Sequence, residues 1–188
     1  MISAGDFRKG VTFEYENSVY TIVDFQHVKP GKGAAFVRTK MKNVMTGSVL
    51  EKTWNPTEKI QEATIVTKNM TYSYYDGDQF YIFMEDDTFE QIELSYDQCE
   101  EALKYIKEGD HVVVKFFKDV PFSVDCDNFV VLQVTNADPA VKGNTATNTT
   151  KKATLETGIT IDVPMFVEEG EYIRVDTRSG EYMERVKG

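Results

Sequence analysis

The residue in this chain best placed to act on another molecule is Lys32, framed by glycines in Lys29-Pro30-Gly31-Lys32-Gly33. An ammonium carried between residues without side chains can enter a space too narrow for a helix or barrel, and there donate to phosphates and hydroxyls. It reads as a probe that reaches into a partner, not as a pocket that receives one. The segment is not a nucleotide-binding P-loop, because Gly33 stands where that loop needs Ser or Thr and the upstream glycine is missing. Arg38, Lys40 and Lys42 follow, alternating with Val37, Thr39 and Met41 as on one solvated strand face. With Lys29 and Lys32 they make a basic window over 29–42 that contains no acid. Local field, not net charge, decides where a phosphate backbone can approach.

Other reactive types are thinly spread. Cys99 and Cys126 lack CxxC spacing and read as small core residues, not nucleophiles. His27 and His111 stand apart from both cysteines, which argues against zinc, and Glu85-Asp86-Asp87 lacks an EF-hand's ligand spacing. No GxSxG or HExxH motif is present. The expectation is a non-enzymatic protein without a metal or bound cofactor. Tyr72, Tyr74 and Tyr75 are expected to pack within a strand; neighbouring acidic turns would repel the nucleic acid needed for base stacking.

Charge divides the chain. Residues 1–63 hold nine Lys and Arg against seven Asp and Glu, residues 64–127 hold five against fifteen, and residues 128–188 hold seven against nine. The middle third thus equals the whole net charge of -10. No apolar run approaches the roughly 18–20 residues of a membrane span, and the opening residues have no signal-peptide pattern. A cytoplasmic protein without membrane contact is expected.

Short runs rich in Val, Ile, Phe, Tyr and Thr, bounded by Gly, Asn and Asp, predict an all-β chain. Strands are expected over 11–15, 19–28, 34–42 and 49–54, with turns at Asn17-Ser18 and Thr46-Gly47. About ten residues from 19 to 28 could project the Lys32 tip roughly 30 Å. Pro30 suits a strand end, and Gly31 and Gly33 suit positive φ in a tight tip. Further strands are expected over 64–75, 79–84 and 88–94, with a hairpin turn at Asp76-Gly77. One helix follows, with Ser95 as N-cap, Gln98 at capping-box spacing and Gly109 as terminator. Strands resume over 111–117, 120–124 and 129–134. Residues 136–154 read as one long polar loop, with strands after it over 158–163, 172–176 and 182–186. Three β units of about 60 residues fit this spacing, divided as 1–63, 64–127 and 128–188. Strand–helix–strand order in the second suits an OB-type barrel.

The segment Asp24-Phe25-Gln26-His27-Val28-Lys29-Pro30-Gly31-Lys32-Gly33-Ala34-Ala35-Phe36 resembles the modification loop of bacterial elongation factor P. Lys152-Ala153-Thr154-Leu155-Glu156-Thr157-Gly158, with Val163-Pro164, Phe166-Val167 and Gly170, resembles that family's third-domain signature. The ending Val175-Asp176-Thr177-Arg178-Ser179-Gly180-Glu181-Tyr182 is similar to it as well. Three matches in order span essentially the whole chain.

The resemblance implies an L-shaped arrangement of an SH3-like (KOW-type) barrel and two OB-type barrels, the middle one with a short helix. It implies a monomeric elongation factor that binds the 70S ribosome between the peptidyl and exit sites, beside peptidyl-tRNA. Such a factor stimulates peptide-bond formation and relieves stalling at consecutive prolines. Lys32 would be extended covalently by a modifying enzyme, with Lys29, Pro30, Gly31, Gly33, Arg38, Lys40 and Lys42 around it on tRNA and ribosome. Gly143-Asn144-Thr145-Ala146 would contact the small subunit; the family commonly has Asp where Asn144 stands. The rival reading, a general single-stranded nucleic-acid-binding OB protein, needs a basic aromatic groove that the acidic middle third does not offer.

Overall fold

The computed structural model describes residues 1–140 and 150–187, which form three β-sheets, one α-helix and a single 3-10 turn over Ala4–Asp6. In the first sheet, β1 (Ile2–Ser3), β2 (Thr12–Tyr15), β3 (Ser18–Val28), β4 (Phe36–Asn43), β5 (Val49–Trp54) and β6 (Lys59–Glu62) lie in the order β1-β6-β2-β3-β4-β5. Period-two alternation drives it. On β4, Val37, Thr39, Met41 and Asn43 are buried while Arg38, Lys40 and Lys42 are exposed.

Phe7, Phe13, Tyr20, Ile22, Val37, Met41, Trp54 and Ile60 fill this sheet's core. Phe7 stacks on Phe13 at 5.0 Å, and Trp54 meets Phe13 edge-on at 5.8 Å. The buried indole N–H of Trp54 donates to Thr39 Oγ1 at 2.9 Å, and that hydroxyl donates to the Lys52 carbonyl at 3.0 Å. The core's polar interior is thereby satisfied where β4 and β5 meet.

The turn before β3 lies one residue earlier than expected. Tyr15 pairs with Ser18, so Glu16 and Asn17 make the two-residue loop, with φ of 49° and 60°. Two positive φ values are what a tight hairpin of matching twist requires. The sequence pattern also passes over β1 and β6, which together bury one large side chain, Ile60.

The second sheet contains β7 (Ile65–Tyr75), β8 (Phe80–Glu85), β9 (Gln91–Ser95), β10 (His111–Phe117) and β11 (Val120–Cys126), ordered β11-β10-β7-β8-β9. Between β9 and β10 runs α1 (Tyr96–Leu103), whose capping box is present: the Ser95 N–H donates to Gln98 Oε1 at 2.9 Å. Cys99, Ala102 and Ile106 are buried and Leu103 is half-buried, so the apolar residues of this segment face the core. The helix nevertheless stops at Leu103, well short of Gly109. The Gly109 N–H donates to the Tyr72 carbonyl at 2.7 Å and the Tyr72 N–H to the Asp110 carbonyl at 3.0 Å. These bonds to β7 draw the chain out of helical geometry.

The third sheet runs β14-β13-β12-β15-β16, from β12 (Phe129–Ala137), β13 (Thr150–Leu155), β14 (Thr160–Pro164), β15 (Tyr172–Asp176) and β16 (Glu181–Val186). Leu132, Val134, Ala153, Leu155, Val163, Ile173 and Val175 form its core. The expected loop over 136–154 is corrected at both ends: β12 runs on to Ala137 and β13 begins at Thr150. The polar Thr150–Leu155 run is a strand because β12 and β14 pair with it on either side.

By internal contacts the chain forms two compact units. One is residues 1–67 with 115–123, and the other is the remainder of the described chain. In the first unit, Phe117 and Phe122 from the β10–β11 hairpin pack with Val19. Among the described residues no helix is long and apolar enough to cross a membrane.

Candidate functional site

β3 and β4 pair from Tyr20↔Asn43 out to Val28↔Phe36, and the chain between them, residues 29–35, forms the tip. Every tip residue is exposed, Lys32 at its centre. Of the two glycines only Gly33 needs its freedom: its φ is 125°, whereas Gly31 lies outside the positive range. An added Cβ at Gly33 would sit 3.6 Å from Pro30 Cγ, so the loop closes back over the proline ring; one at Gly31 would meet open space. Ring-fixed φ at Pro30 and positive φ at Gly33 hold the turn from both sides of Lys32.

The register places the remaining cations on one outer face. Arg38 stands opposite Gln26, Lys40 opposite Asp24 and Lys42 opposite Thr21, with a bulge between Ile22 and Asp24. The five basic residues are not equivalent. Lys40 lies directly opposite Glu51 of β5 and pairs with it at 3.8 Å. Arg38 stacks over the Phe36 ring at 5.9 Å. Lys29, Lys32 and Lys42 have no ion-pair partner among the described residues. The window free of acids in sequence is therefore not free of them in space.

Two cations beside the outer part of the hairpin, Arg8 and Lys9, were not singled out from sequence. Arg8 Nη1 donates to the Phe7 carbonyl at 2.6 Å and lies 3.3 Å from His27 Nε2, while its guanidinium covers the Phe25 ring at 5.5 Å. Phe25 and His27 meet edge-on at 5.6 Å. Lys9 pairs with Asp24 at 3.7 Å. The N-terminal segment thus adds cations beside β3. No periodicity could reveal this, since Arg8 and His27 lie 19 residues apart and meet only through tertiary packing.

The other candidates sort clearly. Cys99 is buried, and burial pushes its thiol up to about 12, away from nucleophilic chemistry. Burial also raises the Cys126 thiol. His111 contacts Asp127 at 3.2 Å and Asn69 at 3.1 Å. Among the described residues no cluster of His, Cys, Asp and Glu could hold a metal ion. Tyr72 packs in the core as expected, but Tyr74 and Tyr75 are exposed. Gly143, Asn144, Thr145 and Ala146 lie outside the described residues.

Three domain models of one family match successive parts of the chain. The KOW-like domain model of elongation factor P matches residues 3–60, its OB domain model residues 65–124, and its C-terminal domain model residues 130–185. An elongation factor P of Clostridium botulinum (strain Eklund 17B) is 61% identical over 186 residues, spanning 99% of this chain and 100% of that protein. That of Clostridium kluyveri is 62% identical over the same coverage. Among solved structures, a translation initiation factor 5A from Methanococcus jannaschii shares the fold at a TM-score of 0.54 and 19% identity, over 66% of this chain and 93% of that one. Sheet by sheet and over nearly its whole length, the chain belongs to the elongation factor P family of translation elongation factors.

Proposed function

We propose that the protein acts on the 70S ribosome as a non-enzymatic positioning factor. It binds as a monomer between the peptidyl and exit sites, beside peptidyl-tRNA, and stimulates peptide-bond formation where consecutive prolines slow it. One observation carries this reading: an exposed seven-residue tip holds the unpaired cation Lys32 beyond the last paired residues of a long hairpin.

Proline's ring restricts the approach of its nitrogen to the ester of peptidyl-tRNA. A factor that fixes the tRNA end in a near-attack arrangement lowers the barrier without donating or accepting a proton. Such positioning is worth up to roughly 7–11 kcal/mol in ideal intramolecular systems, a ceiling well above what one flexible loop supplies. Lys32 donates to phosphate oxygens and 2′-hydroxyls at the acceptor end, while Lys29, Arg38 and Lys42 hold the flanking backbone. A modifying enzyme lengthens Lys32 in the cytoplasm, where the open surroundings of the tip leave the amine accessible. Gly143-Asn144-Thr145-Ala146 provide the contact with the small subunit.

The test is a purified translation system, lacking this factor, that reads a message with three consecutive proline codons. Addition of the protein purified from its own host restores full-length product and leaves a proline-free message unaffected. Equal stalling with and without the protein overturns the proposal.

A further inference from the structure

The second sheet carries a surface groove of its own. Tyr75 and Tyr81 are direct cross-strand partners of β7 and β8, with ring centroids 4.6 Å apart. Tyr96, the first residue of α1, brings a third ring to 6.4 Å from Tyr81. Together with Asp78 and Asp97 they line a groove of about 410 Å³. Tyr75 and Tyr96 are 43% and 51% exposed, so both rings are open to a partner.

The geometry is built, not incidental. A bulge between Tyr72 and Tyr74 shifts the pairing by one residue, so that Tyr75 stands opposite Tyr81; regular pairing would put Tyr74 there. The Tyr75 hydroxyl donates to the Asp78 carbonyl at 2.9 Å, which fixes the ring over the turn. In that turn the Asp76 carboxylate accepts the N–H groups of Asp78, Gln79 and Phe80 at 2.8, 2.9 and 3.1 Å. Asp76 is thus committed to the backbone, whereas the carboxylates of Asp78 and Asp97 have no ion-pair partner among the described residues.

We propose that this groove is a docking site for an arginine- or lysine-rich segment of a partner polypeptide. A guanidinium or ammonium seated against the tyrosine rings gains cation–π attraction, and the two free carboxylates at the rim supply charge complementarity. The surrounding third of the chain, with fifteen acids against five bases, steers a basic segment in and repels a phosphate backbone. The groove shares no residue with the Lys32 tip, so it stands or falls independently of the function proposed above.

The test uses the full-length protein, labelled with ¹⁵N and titrated with a hexa-arginine peptide; hexaglutamate and oligouridylate serve as comparison probes. The site predicts saturable shifts centred on the amides of residues 75–81 and 95–97. Asp78→Asn with Asp97→Asn, and separately Tyr96→Leu, weaken the arginine peptide roughly threefold or more while leaving the remaining spectrum folded. Shifts spread evenly over the acidic surface, or equal affinity in all variants, overturn the proposal. So does preferential binding of oligouridylate.

Discussion

The ammonium of Lys40 lies 3.8 Å from the carboxylate of Glu51, its opposite partner on the neighbouring strand, while Lys42 two residues on faces Val49 and has no such partner among the described residues. An exposed pair of this kind contributes little to stability, about 0–1 kcal/mol, but it holds the Lys40 charge against the sheet. Glu51→Gln frees that charge. Affinity for tRNA then rises, and the salt dependence steepens by roughly 0.7–0.9 log units per log salt if Lys40 gains one phosphate. The check is equilibrium binding across a salt series; an unchanged slope removes Lys40 from the contact set.

Gly33 and Gly31 differ in what they tolerate. At a φ of 125°, Gly33→Ala costs about 1–3 kcal/mol of local strain and displaces the tip. Gly31→Ala adds a methyl into open space at an ordinary φ. In the three-proline translation assay the Gly33 variant loses activity and the Gly31 variant keeps most of it. Equal losses would show that the tip's backbone geometry does not govern its function.

The bond from Trp54 to Thr39 ties the core to the strand carrying Arg38 and Lys40. Thr39→Val keeps the shape but leaves the buried indole N–H and the Lys52 carbonyl without that hydroxyl. Unfolding followed by the fluorescence of Trp54, the single tryptophan, should register a loss of about 1–3 kcal/mol. A change below a few tenths of that would mean water replaces the hydroxyl.

Lys32 isolated from the protein's own host is expected to be heavier than lysine. Peptide mass spectrometry across residues 29–38 checks this directly. A plain lysine at full occupancy in active protein would mean the unextended side chain suffices.

Strands rich in β-branched and aromatic residues and bounded by turn residues were legible: 49–54, 111–117 and 172–176 match the structure residue for residue. Those that owe their existence to partners were not. Thr150–Leu155 buries only Ala153 and Leu155, and its Thr and Lys residues look like loop until β12 and β14 pair with them. α1 satisfied every local rule at its start, yet its end was set by bonds from Gly109 and Asp110 to distant Tyr72. The candidate site shows the same division. Lys32 and the alternating cations were visible as types and spacing, whereas Glu51 beside Lys40 and Arg8 beside His27 arise from register and tertiary packing. Bulges are the extreme case: the one near Tyr74 decides which tyrosine meets Tyr81, and one-dimensional alternation carries no trace of it.

The central claim is that activity resides in the side chain at the hairpin tip, and the most direct measurement compares wild type with Lys32→Ala on the three-proline message. Lys32 has no ion-pair partner among the described residues, so its removal leaves the first sheet and its core intact, as circular dichroism and the Trp54 emission would confirm. The variant is expected to lose nearly all relief of the proline stall while its thermal stability stays unchanged. Relief by Lys32→Ala equal to that of wild type would contradict it.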